Sequence, residues 1–164
     1  RPPAFPTENS ATGSCSSRKK NGAEHLKHKY MIRLQDKHEY EVETADATMY
    51  LFGDLAFDKD AYTITYRDEA GDLAGCTTAI TCKGDEVSIR RTGPYQTELI
   101  MEKGRRHSCL YSTEYGDVLM GVYAEKIDSH MAETGGYLEF AYTIDFDGDF
   151  VSRNTLHLTV KETF

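Results

Sequence analysis

Long apolar runs are what this sequence lacks most plainly: nowhere do about 18 apolar residues follow one another, the length a membrane-spanning helix needs. With 39% hydrophobic residues and a mean hydropathy of −0.58, a soluble protein is expected. Also missing is any window of helical length with apolar residues at i, i+3, i+4 and i+7. That removes the crossover helices a parallel β-α-β sheet requires. The four cysteines, Cys15, Cys76, Cys82 and Cys109, form no C-x-x-C pair and no Cys/His zinc spacing. Cys76 and Cys82 share one strand-like run, too extended to close on each other, so free thiols in a reducing compartment are expected. Tryptophan is absent altogether, which makes intrinsic fluorescence a poor reporter of anything bound.

Basic residues are scarce as well, 19 Lys and Arg against 27 Asp and Glu, for a net charge of −8. Residues 1 to 27 hold five of the basic residues and only two acids, which leaves the remainder at −11. A body that acidic repels phosphate backbones, so neither nucleic acid nor an anionic membrane is expected as a partner. Arg105, Arg106 and His107 form the one local exception.

The 164 residues make one ordinary domain, long enough to bury a core without metals or disulfides. Residues 1 to 27 are rich in Pro, Ser, Thr, Asn, Gly and charge and read as a disordered polar tail outside the fold. They carry no apolar segment of the secretory-signal type. Beginning at Arg1, the chain reads as a fragment, a processed end or a frame opened too early, with Met31 as an alternative start. From residue 28 to 164 the pattern changes to short alternating runs separated by turn signals. These are Asp58-Lys59-Asp60, Ala70-Gly71-Asp72, Lys83-Gly84-Asp85, Thr92-Gly93-Pro94, Lys103-Gly104-Arg105, Tyr115-Gly116-Asp117, Thr134-Gly135-Gly136 and Asp147-Gly148.

Eight such signals separate about nine strands. Tyr62, Ile64 and Tyr66 share one face against Thr63, Thr65 and Arg67. Leu138, Phe140, Tyr142, Ile144 and Phe146 likewise oppose Glu139, Ala141, Thr143 and Asp145, so each strand has one buried and one wet face. The predicted class is all-β and antiparallel, a sandwich or an up-and-down barrel; closing the barrel would remove exposed edges.

Candidate site residues come from breaks in this alternation. A two-residue loop at Lys103-Gly104 puts His107, Cys109 and Tyr111 on one face with Glu98, Ile100 and Glu102, and a three-residue loop would swap those partners. Neither face of that hairpin is cleanly apolar, so a polar inner wall is expected there. Buried charges persist only when paired or satisfied by a ligand. Arg91 falls in phase with Val87 and Ile89 and should point inward with them, where it needs a carboxylate or an anionic ligand. The plainer alternative is that Arg91 and Arg106 lie at strand ends and snorkel into water. His107 is more often a structural histidine than a catalyst, and no nucleophile, triad order or phosphate-cradling loop accompanies it. His25 and His28 lack a third metal ligand, and Asp145, Asp147 and Asp149 read as a hairpin turn, not a calcium loop. No metal, cofactor or catalytic residue is expected.

The runs LAGCTTAITCKGDEVSIRRTG, ELIMEKGRRHSCLYSTEYGDVLMGVY and GGYLEFAYTIDFDGDFVSRNTLHLTV resemble the DUF1934 family, the bacterial proteins of the YwiB type. The similarity extends over residues 47 to 162. It rests on the Thr77-Thr78 strand, Gly84-Asp85, Arg91 to Gly93, Glu102 to His107, Tyr115-Gly116 and Met120 to Tyr123. Where family members commonly have Thr-Pro-Tyr-Gly, this chain has Thr113-Glu114-Tyr115-Gly116. The resemblance implies a lipocalin-like, calycin-type barrel of about 8–10 strands, a cytoplasmic location in a low-GC Gram-positive bacterium, and no established activity or catalytic residues. The function expected is non-enzymatic binding of a small anionic or aromatic molecule within or at the mouth of the barrel, by Arg91, Glu98, Glu102, Arg106, His107, Tyr111 and Tyr115. The alternatives are a filled barrel acting in protein interaction and an enzyme using His107 as acid or base. Oligomeric state is not legible.

Overall fold

The computed structural model describes residues 30–69, 74–94, 96–113 and 115–163. The segment expected to be a disordered tail lies outside these residues, as do Cys15, His25 and His28. Ten strands account for nearly all of what is described: β1 (Tyr30–Tyr40), β2 (Thr44–Asp58), β3 (Ala61–Arg67), β4 (Thr77–Lys83), β5 (Glu86–Thr92), β6 (Thr97–Glu102), β7 (Arg106–Thr113), β8 (Gly116–Ala132), β9 (Gly135–Phe146) and β10 (Asp149–Glu162).

Seven of the eight turn signals mark junctions between strands, and the eighth, at residues 70–72, lies outside the described residues. The extra strand comes from a β1–β2 hairpin at Glu41-Val42-Glu43, which contains none of the usual turn residues and is closed by the Tyr40 N–H donating to the Glu43 carbonyl at 2.8 Å. At Asp147-Gly148 both residues have positive φ, 51° and 87°, the conformation the Asp-Gly pair supplies in a two-residue hairpin.

The strands form one antiparallel sheet in the order β6-β5-β4-β3-β2-β1-β10-β9-β8-β7. First and last strands pair along their whole length, from Tyr30 opposite Glu162 to Tyr40 opposite Ser152. The sheet therefore curls into an up-and-down barrel of the lipocalin-like kind, with a gap between the sequence neighbours β6 and β7. This resolves the choice between sandwich and barrel.

The interior is filled by the faces the alternation selects. Ile32, Leu34, Ile64, Ile80, Val87, Leu99, Met101, Val122, Leu138, Phe140, Leu156 and Leu158 are buried in one continuous cluster. Each large side chain of this kind contributes about 1.5–3 kcal/mol when withdrawn from water, so the cluster fixes which face of every strand points inward.

The gap is an overlap. Beyond a bridge between Glu102 and Arg105 across the two-residue Lys103-Gly104 loop, β6 makes no ladder with β7. Instead β7 pairs with β8, His107 opposite Val122 and Cys109 opposite Met120. Val122 and Met120 are buried in the core, so His107 and Cys109 are in the inward phase of β7. Glu98, Ile100 and Glu102 belong to the outward phase of β6, whose inward side chains are Leu99 and Met101. Strand β7 thus lays its inner face over the outer face of β6, and the exposed edge of β6 is covered without being hydrogen-bonded.

Candidate functional site

Antiparallel alternation brings five connections to one end of the barrel: those after β1, β3, β5, β7 and β9. Toward this end the inward phase stops being apolar. On β1 it runs Ile32, Leu34, then Asp36, His38 and Tyr40. From β3 it continues through Ile64 and Tyr66 to Asp68, one residue past the strand, on β5 from Ile89 to Arg91, and on β10 from Leu156 back to Asn154 and Ser152. Thr78 on β4 stands opposite both Tyr66 and Arg91, and Tyr142 on β9 stands opposite Asn154.

These side chains are connected. His38 Nε2 donates to Asp36 Oδ2 at 2.8 Å, and His38 Nδ1 meets Asn154 Oδ1. Asn154 Nδ2 donates to Ser152 Oγ at 3.1 Å. The imidazole of His38 is thus engaged at both nitrogens, by a carboxylate on one side and an amide on the other. Its pKa is raised, first by the bond to Asp36 and also by Asn154, against the opposing effect of burial. Across the mouth, Thr78 Oγ1 donates to Asp68 Oδ2 at 3.0 Å. Burial pushes the Asp68 carboxyl up, partly offset by the Thr78 hydroxyl and the Arg91 charge. Burial likewise pushes the Tyr66 hydroxyl up to about 12, and that of Tyr142 higher still.

Two observations mark this end as more than a polar plug. Asp36 and His38 point inward yet keep 26% and 25% of their side-chain surface, so the barrel is open to solvent there. Asp36 Oδ1, by contrast, is buried and has no hydrogen-bond partner among the described residues, a state that costs about 1–3 kcal/mol unless something fills it.

Of the residues expected at the site, only Arg91 lies here: its Nε is buried, and its charge acts on Tyr66, Tyr142 and Asp68. The phase argument for Arg91 holds, whereas the expected polar inner wall at the β6–β7 hairpin is corrected. That wall instead belongs to Asp36, His38, Tyr66, Asp68, Thr78, Tyr142 and Asn154. Glu98, Glu102 and His107 gather at the overlap. There His107 Nε2 contacts Glu102 Oε2 at 3.1 Å, and a cleft of about 170 Å³ is lined by Glu98, Ile100, His107, Ser108, Cys109 and Val122. The two-residue loop and its shared face are as read, but that face is the outside of β6, because β7 is hydrogen-bonded to β8. Tyr115 sits in the β7–β8 turn, 93% exposed. Tyr111 belongs to β7, and its side chain lies outside the described residues.

Arg106 is the clearest correction. It makes a bidentate pair with Asp145 on the outer face, Nε to Oδ2 at 2.9 Å and Nη2 to Oδ1 at 2.6 Å. The pair holds the Asp145 carboxyl below the usual range. Asp145 Oδ1 also accepts from Gly148 N at 3.0 Å and so ties the pair to the β9–β10 turn. Gly121 lies between the two strands because a Cβ there would stand 2.3 Å from Arg106 Nε and 2.4 Å from Asp145 Oδ2. The motif residues Arg106 and Gly121 are thereby explained as one structural clasp. Gly121→Ala is expected to push the guanidinium off the carboxylate, lowering the thermal midpoint by a few degrees and raising the Asp145 pKa in an NMR titration. An unchanged Asp145 titration would show that the clasp does not depend on Gly121.

Sequence reasoning missed Asp36, His38, Asp68 and Asn154. The signal was present for Asp68, in phase with Tyr62, Ile64 and Tyr66, and for Asn154, in phase with Leu156 and Leu158. Among the described residues no group of three or more His, Cys, Asp or Glu is placed to hold a metal, and no helix is long and apolar enough to cross a membrane.

An up-and-down β-barrel, apolar at one end of its interior and polar at the other, is the class this fold and site define. Family comparison carries the assignment further: the model of DUF1934, a domain of unknown function, matches residues 17–158, and the chain belongs to that family. The crystal structure of the ywiB protein from Bacillus subtilis superposes with a TM-score of 0.70 at 15% identity, over 82% of this chain and 92% of that one. No curated protein matches.

Proposed function

We propose that this is a non-enzymatic small-molecule-binding barrel that takes its ligand at the polar, open end of its interior. The observation that carries this reading is Asp36 Oδ1, buried in the inward wall with no described donor, on a carboxylate whose other oxygen meets His38. A barrel that merely filled its interior would have no reason to place an acceptor there, since burying an unmade hydrogen bond costs stability. Enzymatic use of His107 finds no support: its Nε2 faces Glu102 at the overlap, and the thiol beside it, Cys109, has its pKa raised by burial, the opposite of an activated nucleophile. The chemistry of the mouth favours a small polar molecule. Of the residues expected to favour an anionic or aromatic ligand, Arg91 stands at this mouth, whereas Arg106 pairs with Asp145 on the outer face and His107 meets Glu102 at the overlap.

Native mass spectrometry of protein purified gently from a bacterial host tests this. The expected result is an excess mass lost on denaturation and lost in Asp36→Leu, which removes the acceptor while keeping the fold, as circular dichroism would verify. A clean mass from every host tried, together with an unchanged melting midpoint across a metabolite panel, would overturn the binding function.

A further inference from the structure

Strand β2 has two neighbours along only part of its length. β1 pairs with it without interruption, from Thr44 opposite Glu39 to Gly53 opposite Tyr30. β3 pairs with it from Gly53 to Asp58 alone, and past Arg67 the chain turns toward β4, where the Asp68 N–H donates to the Cys76 carbonyl at 2.9 Å. From Thr44 to Tyr50 the second edge of β2 therefore has no strand beside it among the described residues, and all seven residues are exposed. The hairpin fixes which backbone groups face that edge. One step beyond the Glu39–Thr44 pair, the Tyr40 N–H donates to the Glu43 carbonyl, so alternation turns Ala45, Ala47 and Met49 toward β1. The N–H and C=O groups of Thr44, Asp46, Thr48 and Tyr50 face the open edge.

Proteins ordinarily protect such an edge with lysine, proline, a bulge or an inward-pointing charge. This edge has none of them: its pairing with β1 shows no register shift, its inward side chains are Ala45, Ala47 and Met49, and Asp46 is its one charge. We propose that the Thr44–Tyr50 edge pairs with the same edge of a second copy of this chain, antiparallel about a twofold axis at Thr48. The edge-facing groups recur at every second residue and are symmetric about Thr48, so each N–H meets a carbonyl of the other copy. Thr48 then stands opposite Thr48 and Asp46 opposite Tyr50, with about six hydrogen bonds at the centre. This register places each Asp46 against a tyrosine and no carboxylate against a carboxylate, in a chain whose body is otherwise strongly acidic. Ala45 and Ala47 stand opposite His38 and Asp36, so the second copy's strand continues the wall beside the polar mouth.

Sedimentation velocity of the full chain tests this over about 10 μM to 1 mM, the range in which a small contact between two acidic bodies is read. The expected result is a mass that doubles with concentration, and more readily at about 0.5 M salt than at 0.15 M, because salt screens the repulsion between the copies. Thr48→Lys sets two like charges face to face on the axis and is expected to weaken dimerisation at least about tenfold while leaving the exposed strand folded. Hydrogen exchange on the native chain supplies a reading that needs no variant. Where the dimer is about nine-tenths populated, the amides of Asp46, Thr48 and Tyr50 should exchange about tenfold more slowly than in the monomer, and those of Ala45, Ala47 and Met49 at an unchanged rate. A chain that stays monomeric at 1 mM overturns the inference. A dimer that survives Thr48→Lys, or one without the alternating protection, overturns it equally and places the contact on another face.

Discussion

Phe140→Ala is expected to cost about 3–5 kcal/mol, the range for emptying a fully buried aromatic position. Phe140 is 0% exposed and stands in the row formed by Leu156 on β10 and Ile127 on β8. Its ring stacks on Tyr142 with centroids 6.0 Å apart, so the apolar filling directly supports the floor of the polar mouth. For a chain of this length the loss corresponds to a fall of about 10 °C or more in the thermal midpoint. Urea unfolding is the check: the midpoint concentration should drop with the slope unchanged. A loss below about 1 kcal/mol would mean that the barrel is not closed around this row.

Asn154→Ala is expected to cost about 2–4 kcal/mol, although it deletes only a small polar group. The amide is 1% exposed and is the acceptor that satisfies His38 Nδ1. Without it the part-buried His38 Nδ1 loses its partner, which is dearer than the loss of the bond itself. The same network makes stability depend on pH. The folded pKa of His38 is raised, so its contribution is fully present below the unfolded value of about 6.5 and disappears as pH rises through the folded value. Asp68, also raised, acts in the acid range: its preference for the neutral form favours the fold below about pH 3.8 and fades as pH rises through its folded value. Above about pH 6.5, unfolding free energy should therefore decline in the native chain as pH rises through the folded value of His38, and run flatter in His38→Gln. A slope that survives the substitution would place the titrating group elsewhere.

The candidate site shows where pattern reading stops. Arg91 could be placed inward because Val87 and Ile89 set a period of two that the arginine continues. Asp68 and Asn154 obey the same rule, but each sits where a strand meets a turn, and a polar residue at a strand end reads as the start of a loop. Asp36 and His38 lie on β1, in the stretch where family similarity is faintest from sequence, although the family model extends back to residue 17 and takes this strand in. The hairpin at Lys103-Gly104 misled in a different way. Its loop length and shared face are local properties and were legible; the partner of β7 is not local.

What the sequence determined by itself is therefore the strand pattern: the side of most strands that is buried, seven of the turns, the antiparallel arrangement and, among the described residues, the lack of helices. These follow from interactions a few residues apart, the alternation of side chains along a pleat and the φ/ψ demands of turn residues. Only the tertiary structure decided that β1 pairs with β10, that the gap falls between β6 and β7, and that β7 turns its inner face onto the outside of β6. Those choices depend on how ten twisted strands close around one core. Closure also decides which end of each inward face meets solvent, and so that Asp36 and His38 of β1, Arg91 of β5 and Asp68 just past β3 lie toward one mouth.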